Sequence, residues 1–235
     1  MFKHILTSVI CILTAIGLSG CGNSSVFQYI NPEYKDQKLS STSVLLLNFS
    51  DDLLPAKKKF KLLGKNHKKY HMFSYQEKKY FQTHFSTIFS RFVTTKVDGI
   101  DSQFKPKSIE FEYKEFKHPN SDDGFKMFSP IKGKIKYKEK EPKFVIFFED
   151  LYFDKEMGAE GGGLGRCPES VVKISSGLKY LIWDNSSEQI VGYGSLKENF
   201  RTMIMPIKQD YFTVFKRYVK EIIQNSPFKE KNFLL

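Results

Sequence analysis

The sequence predicts an α+β domain built on a mixed or mostly antiparallel sheet, with two principal amphipathic helices packed on one face. Three observations carry that expectation. Segments of strand and helix character follow one another as strand, helix, several strands with hairpins, helix. One uninterrupted apolar run and several alternating runs mark buried and half-buried strands. Two stretches repeat large apolar residues at helical spacing. With 40% hydrophobic and 15% aromatic residues the chain has the material for a substantial core. Nothing inside 42–226 has the composition of a domain boundary, so one domain is expected there, followed by a frayed tail at 227–235.

Taken in order, the chain opens with a basic start carrying Lys3, then an uncharged apolar stretch from Ile5 to Ile16. That is the layout of a secretory signal, and it is shorter than the ~20 apolar residues of a permanent span. The stretch closes on Leu18-Ser19-Gly20-Cys21. This tetrad, placed at the end of an apolar segment, resembles the lipobox of bacterial lipoproteins. The resemblance covers residues 1–21. It implies a signal peptide at 1–20, cleavage between Gly20 and Cys21, and acyl chains on Cys21 that hold the protein on a membrane. Gly22 is not the Asp-type retention signal of some bacterial groups, which points to the outer membrane, facing the periplasm. Residues 21–41, small and polar around Pro32, are expected to be the lipidated cysteine and a tether with an r.m.s. reach of ~25 Å.

Ser43 to Phe49 contains Val-Leu-Leu-Leu and reads as a buried central strand. Lys57 to Lys69 packs lysines around Gly64 and reads as an exposed loop. Ser74 and Glu77 form a capping-box signature ahead of Phe81, Phe85, Ile88, Phe89, Phe92 and Val93, which predicts an amphipathic helix to about Thr94. Ile109, Phe111 and Tyr113 alternate with charged residues as a half-exposed strand, and Pro119 to Gly124 is a loop. Ile131, Gly133, Ile135 and Tyr137 alternate with lysines, predicting a second half-exposed or edge strand. Lys143 to Phe153 reads as an interior strand and Gly158 to Gly165 as a flexible connection. Leu178–Trp183 and Gln189–Lys197 flank Asp184-Asn-Ser-Ser-Glu188, a hairpin with a loop of five residues or fewer. Phe212, Phe215, Val219, Ile222 and Ile223 share one face of a last helix, which Pro227 ends. The layout is similar to small domains of envelope lipoproteins, such as the periplasmic part of curli-secretion lipoproteins or the amino-terminal domain of Tol-system proteins, as an analogy of outline.

Of three cysteines, Cys11 would leave with the signal, Cys21 would be lipidated and Cys167 would stand alone, so no disulfide framework is expected. The charge balance is 37 Lys+Arg against 26 Asp+Glu, and only Arg91, Arg166, Arg201 and Arg217 are arginines. Scarce arginine argues against base readout, so no nucleic-acid partner is expected; the lysines read as a solvated surface. The partners expected are the membrane, through Cys21, and an envelope protein.

The remaining motifs each fall short of a known chemistry. The glycines of 158–165 lead into Arg166-Cys167-Pro168 and not into the Gly-Lys-Ser/Thr of a phosphate loop. Ser170 and Lys173 match Ser-x-x-Lys, but the companion Lys-Thr-Gly is absent, and in a strand positions three apart face opposite ways. Gly192-Tyr-Gly194-Ser195 is no nucleophile elbow and reads as a bulge or a close backbone approach. Asp150, Asp154, Glu156 and Glu160 lack EF-hand spacing, and His67, His71 and His84 lack His-Glu-x-x-His, so neither set is read as a metal site. No cofactor and no catalytic residue is expected. The sequence reads as a lipid-anchored envelope protein with a non-catalytic binding or scaffolding domain. The alternatives are a lipid or glycolipid carrier, and an envelope hydrolase using Ser170 or Cys167.

Overall fold

A computed structural model describes residues 24–48, 75–99, 109–118, 124–160, 169–202 and 208–231. The elements are β1 (Ser24–Ile30), α1 (Pro32–Lys35), β2 (Ser43–Asn48), α2 (Tyr75–Phe92), β3 (Lys96–Asp98), β4 (Glu110–Lys117), β5 (Gly124–Lys132), β6 (Phe144–Glu160), β7 (Glu169–Asp184), β8 (Gln189–Thr202) and α3 (Lys208–Gln224). Strand dominates. Six strands form one mixed sheet in the order β1-β8-β7-β6-β2-β3, while β4 and β5 pair separately as a two-stranded sheet. β2 runs parallel to both β3 and β6, and the other neighbours are antiparallel. Among the described residues no helix is long and apolar enough to cross a membrane.

Both faces of the large sheet are covered, which explains the uninterrupted apolar run in β2. Val44 and Leu46 join the core under the helices, and Leu45 and Leu47 join a second core under β4 and β5. Strand β6 splits the same way: Phe144, Ile146 and Phe148 meet the helix side, Val145 and Phe147 the hairpin side. On the helix side Phe85 of α2 lies 4.9 Å from the Phe148 ring and 6.0 Å from Phe215 of α3, in edge-on geometry. The faces of both helices that carry their apolar repeat are the buried ones, with Phe85, Ile88, Phe89, Val219 and Ile222 at most 1% exposed. On the other side Phe111 meets Phe147 at 5.8 Å, and Phe116, Met127 and Phe128 close the layer.

Several expectations need correction. Residues 24–41 are not a free tether. Ser24–Ile30 pairs along its whole length with β8, and Asn31 caps the short α1, its Oδ1 accepting the Glu33 amide at 3.1 Å. A short polar stretch around a proline looks like a linker when the sheet edge that receives it lies far along the chain. The second half-exposed strand is Gly124–Lys132, ahead of the predicted 131–137. Ile131 is 51% exposed, Gly133 has φ 108°, and Lys138 and Glu139 form a left-handed turn. The alternation at 131–137 belongs instead to a connection held by the β7–β8 turn: Glu188 accepts the Gly133 amide, and the Asn185 side chain exchanges two bonds with the Ile135 backbone, at 2.7 and 2.9 Å. Residues 158–160, expected in a flexible connection, pair with β7 as strand; 161–165 lie outside the described residues. The tail is not frayed at its start, because Phe228 is 1% exposed in the helix-side core and Leu39 exchanges backbone bonds with Pro227 and Lys229.

Candidate functional site

The residues singled out by sequence do not converge. Gly20, Cys21, Cys167, His67 and His71 lie outside the described residues, as do Lys57–Lys69 and the Ser74 cap. His84 sits on α2, and Ser170 and Lys173 lie in β7, where a spacing of three alternates across the pleat. Asp154, Glu156 and Glu160 are strung along β6 at alternate positions instead of gathering at a strand end. Among the described residues no group of three His, Cys, Asp or Glu is placed to hold a metal ion.

Three arrangements are assembled by the fold. At the β7–β8 turn Asp184 accepts Lys143 Nζ at 2.9 and 3.1 Å, the Tyr34 hydroxyl at 2.9 Å and the Ser186 amide at 2.8 Å. Burial pushes its carboxyl up, but these donors outweigh burial and hold it below the usual range. This is the turn former foreseen from sequence, here also ion-paired; the adjoining Trp183 is core, 2% exposed.

A second arrangement joins β1 to the rest. Tyr180 is fully buried, and its hydroxyl accepts Gln28 Nε2 at 2.9 Å; Gln28 Oε1 in turn accepts Asn225 Nδ2 at 2.6 Å from the end of α3. The Tyr180 ring occupies the space a side chain at Gly194 would need: a Cβ there would fall 2.5 Å from Tyr180 Cε1 and 2.9 Å from Phe27 O. A Cβ at Gly192 would fall 2.7 Å from Tyr29 O. The close backbone approach expected of these glycines is the docking of β1.

The third lies under the β4–β5 hairpin. Asp150 has φ 53° at an irregularity in the β6–β7 pairing and is ion-paired to Lys179, which also donates to Lys126 O at 3.1 Å. Beside it Glu149 is 8% exposed and accepts the Phe128 amide at 3.3 Å. Burial, then the Asp150 charge, push its carboxyl up to about 7. Burial and the same two carboxylates push the Tyr113 hydroxyl up to about 12. Next to this group Phe27, Phe125 and Tyr193 make a half-exposed aromatic seam over the buried Phe116, with Tyr193 4.6 Å from Phe116 and Phe27 5.4 Å from Phe125. Sequence reasoning missed Glu149 because, inside the strand expected over Lys143 to Phe153, nothing local distinguishes a buried acid from one on an exposed position. The arrangement can hold a proton near neutral pH and present aromatic surface. Near the short edge strand β3 a separate pocket of about 330 Å³ is lined by Ser43, Lys96, Asp98, Tyr137, Lys140 and Glu141 among others.

No family model matches the chain, and no curated protein matches it. Among solved structures the chain is similar to a PelC dodecamer from Paraburkholderia phytofirmans, at 8% identity over 88% of this chain and 99% of that one, with a TM-score of 0.39. It is also similar to a protein from Helicobacter pylori described as a neuraminyllactose-binding hemagglutinin homolog, at 10% identity over 83% and 88%, with a TM-score of 0.32.

Proposed function

We propose that this chain is an exported lipoprotein, held by acyl chains on Cys21 to the periplasmic face of the outer membrane, whose domain binds an envelope protein partner or scaffolds an assembly without catalysis. The observation that carries this is the order of a basic start, an uncharged apolar stretch and Leu18-Ser19-Gly20-Cys21. More than one acyl chain, at ~0.8 kcal/mol per buried methylene, makes such attachment lasting. Two structural features support the binding reading. Both faces of the sheet are filled by packed side chains, and the side chains left half-exposed around β1, β8 and the hairpin include the aromatic residues Phe27, Tyr29, Phe111, Tyr113, Phe125 and Tyr193, a residue type enriched at interfaces. For the hydrolase alternative, position 170 lies in a continuous strand with Lys173 three positions on, and Cys167 lies outside the described residues.

Replacement of Cys21 tests the anchor. Cys21→Ser should abolish incorporation of labelled palmitate and leave the protein soluble in the periplasm or as uncleaved precursor. A variant that matures and sediments with membranes like the parent would refute the lipoprotein reading.

A further inference from the structure

The two edges of the six-stranded sheet are built differently. At one edge β3 is three residues long and carries Lys96 and Asp98. Short length and charge are what keep an edge strand from pairing with another chain. At the other edge β1 runs seven residues in unbroken register with β8, and it contains neither a proline nor a charged residue. The uncharged stretch extends from Gly22 to Pro32, in a chain of 37 Lys+Arg against 26 Asp+Glu. The Asn31 amide donates to Val191 O, so the odd positions of β1 bond β8, and positions 24, 26, 28 and 30 turn their N–H and C=O outward. Val26, one of these, is 47% exposed.

We infer that β1 pairs antiparallel with β1 of a second copy of this chain, about a two-fold axis at Phe27. This deepens the assembly reading, and it rests on the Cys21 anchor for its choice of occupant. Strand β1 begins three residues after Cys21, a reach of at most ~11 Å, so every anchored copy presents this edge at nearly the same height above the bilayer. Identical edges at one height meet about a two-fold axis normal to the bilayer, the symmetry of a self-complementary contact. The same axis relates the two Cys21 leashes, so both reach one bilayer. Charge points the same way: two copies with the same net positive charge repel, and an uncharged strand lets them approach without opposing like charges. The outward groups then fix the register. Only even positions can bond across, and pairing 24 with 30 and 26 with 28 uses all seven residues. Phe27 faces its symmetry mate in a non-hydrogen-bonded pair, where side chains come closest and an aromatic pair stabilises the contact.

The test uses the full-length lipidated protein, with Cys167→Ser, in vesicles of phosphatidylethanolamine and phosphatidylglycerol recovered by flotation. Under mild oxidation Phe27→Cys should give a disulfide-linked band of twice the mass. Lys96→Cys at the opposite edge and Ser186→Cys in the β7–β8 turn should stay single. Because Phe27 packs on Phe125, a second pair of variants leaves that contact in place. Val26→Pro removes an outward N–H and no bond to β8, and Val26→Lys puts a charge on the edge. Both should keep the parent's urea midpoint and lose the doubled mass that the parent shows by sedimentation equilibrium in density-matched detergent. A parent of single mass, a doubled mass that survives both Val26 variants, or linkage at Lys96→Cys in place of Phe27→Cys overturns the inference. So does Phe27→Cys that links in intact cells to another protein alone. Protein that carries no lipid and fails to float overturns the lipoprotein reading itself, so the two failures are told apart.

Discussion

Glu149 follows five apolar residues in β6 and is carried under the β4–β5 hairpin, where the Phe128 amide is a hydrogen-bond donor to its carboxylate. Its carboxyl is raised from an ordinary 4.5 to about 7, so the native state holds the proton more tightly than the unfolded chain does. Below the ordinary value both states are protonated and no penalty exists. Between about 4.5 and 7 stability falls as pH rises, and above that window the full cost, roughly 3 kcal/mol, is present. Glu149→Gln keeps an acceptor for Phe128 and removes the charge. It should therefore raise the urea midpoint at pH 8 and change it little at pH 4. Equal effects of the substitution at the two pH values would show that this carboxyl is not the buried, proton-binding group described. No local pattern reveals such a residue, because Glu149 is buried by a hairpin from 110–132 that lies in another layer.

At the scale of elements, β1 depends on two glycines of β8 that admit its backbone and the Tyr180 ring. A larger side chain at Gly194 must displace either the ring or the strand. Gly194→Val should lower unfolding free energy by about 1–3 kcal/mol through overpacking, and amides of 24–30 should exchange faster than those of β6. Unchanged exchange in β1 would mean that the strand does not need the space. Close backbone approach at Gly192 and Gly194 was one of the two readings the sequence allowed, the other being a bulge. The identity of what approaches was not legible, because β1 lies more than 160 residues away in sequence.

For the whole molecule, the two ends of the described chain are stitched to the same core. Phe228 rings lie 5.4 Å from Phe144 and 6.2 Å from Phe89, while the backbone at Lys229 and Lys231 bonds to Leu39, Thr94 and Phe92. The region after Pro227 therefore closes the helix side instead of trailing from it. Phe228→Ala should destabilise the protein by about 3–5 kcal/mol, read as a shift in denaturation midpoint. A change below about 0.5 kcal/mol, as for a surface position, would contradict this packing. With β1 paired at one end and Phe228 inserted at the other, the unit that must stay intact for folding is 24–231, wider on both sides than the 42–226 expected from composition.

The sequence by itself determined the elements whose signals are local. Val44–Leu47 as a buried strand, the apolar stripes of α2 and α3, and the Asp184–Glu188 turn all follow from neighbours within a few residues, where pleat and helical period act directly. It also holds the motif on which the proposed anchor at Cys21 rests. Only the tertiary structure decided that β1 is a strand, that 110–132 forms a second layer, and that Glu149 and Phe228 are buried. Each of these depends on a partner distant along the chain, and a polar or isolated residue does not encode its partner in its own surroundings. Pairing and burial are properties of the surfaces that meet, and those surfaces exist only once the sheet has formed.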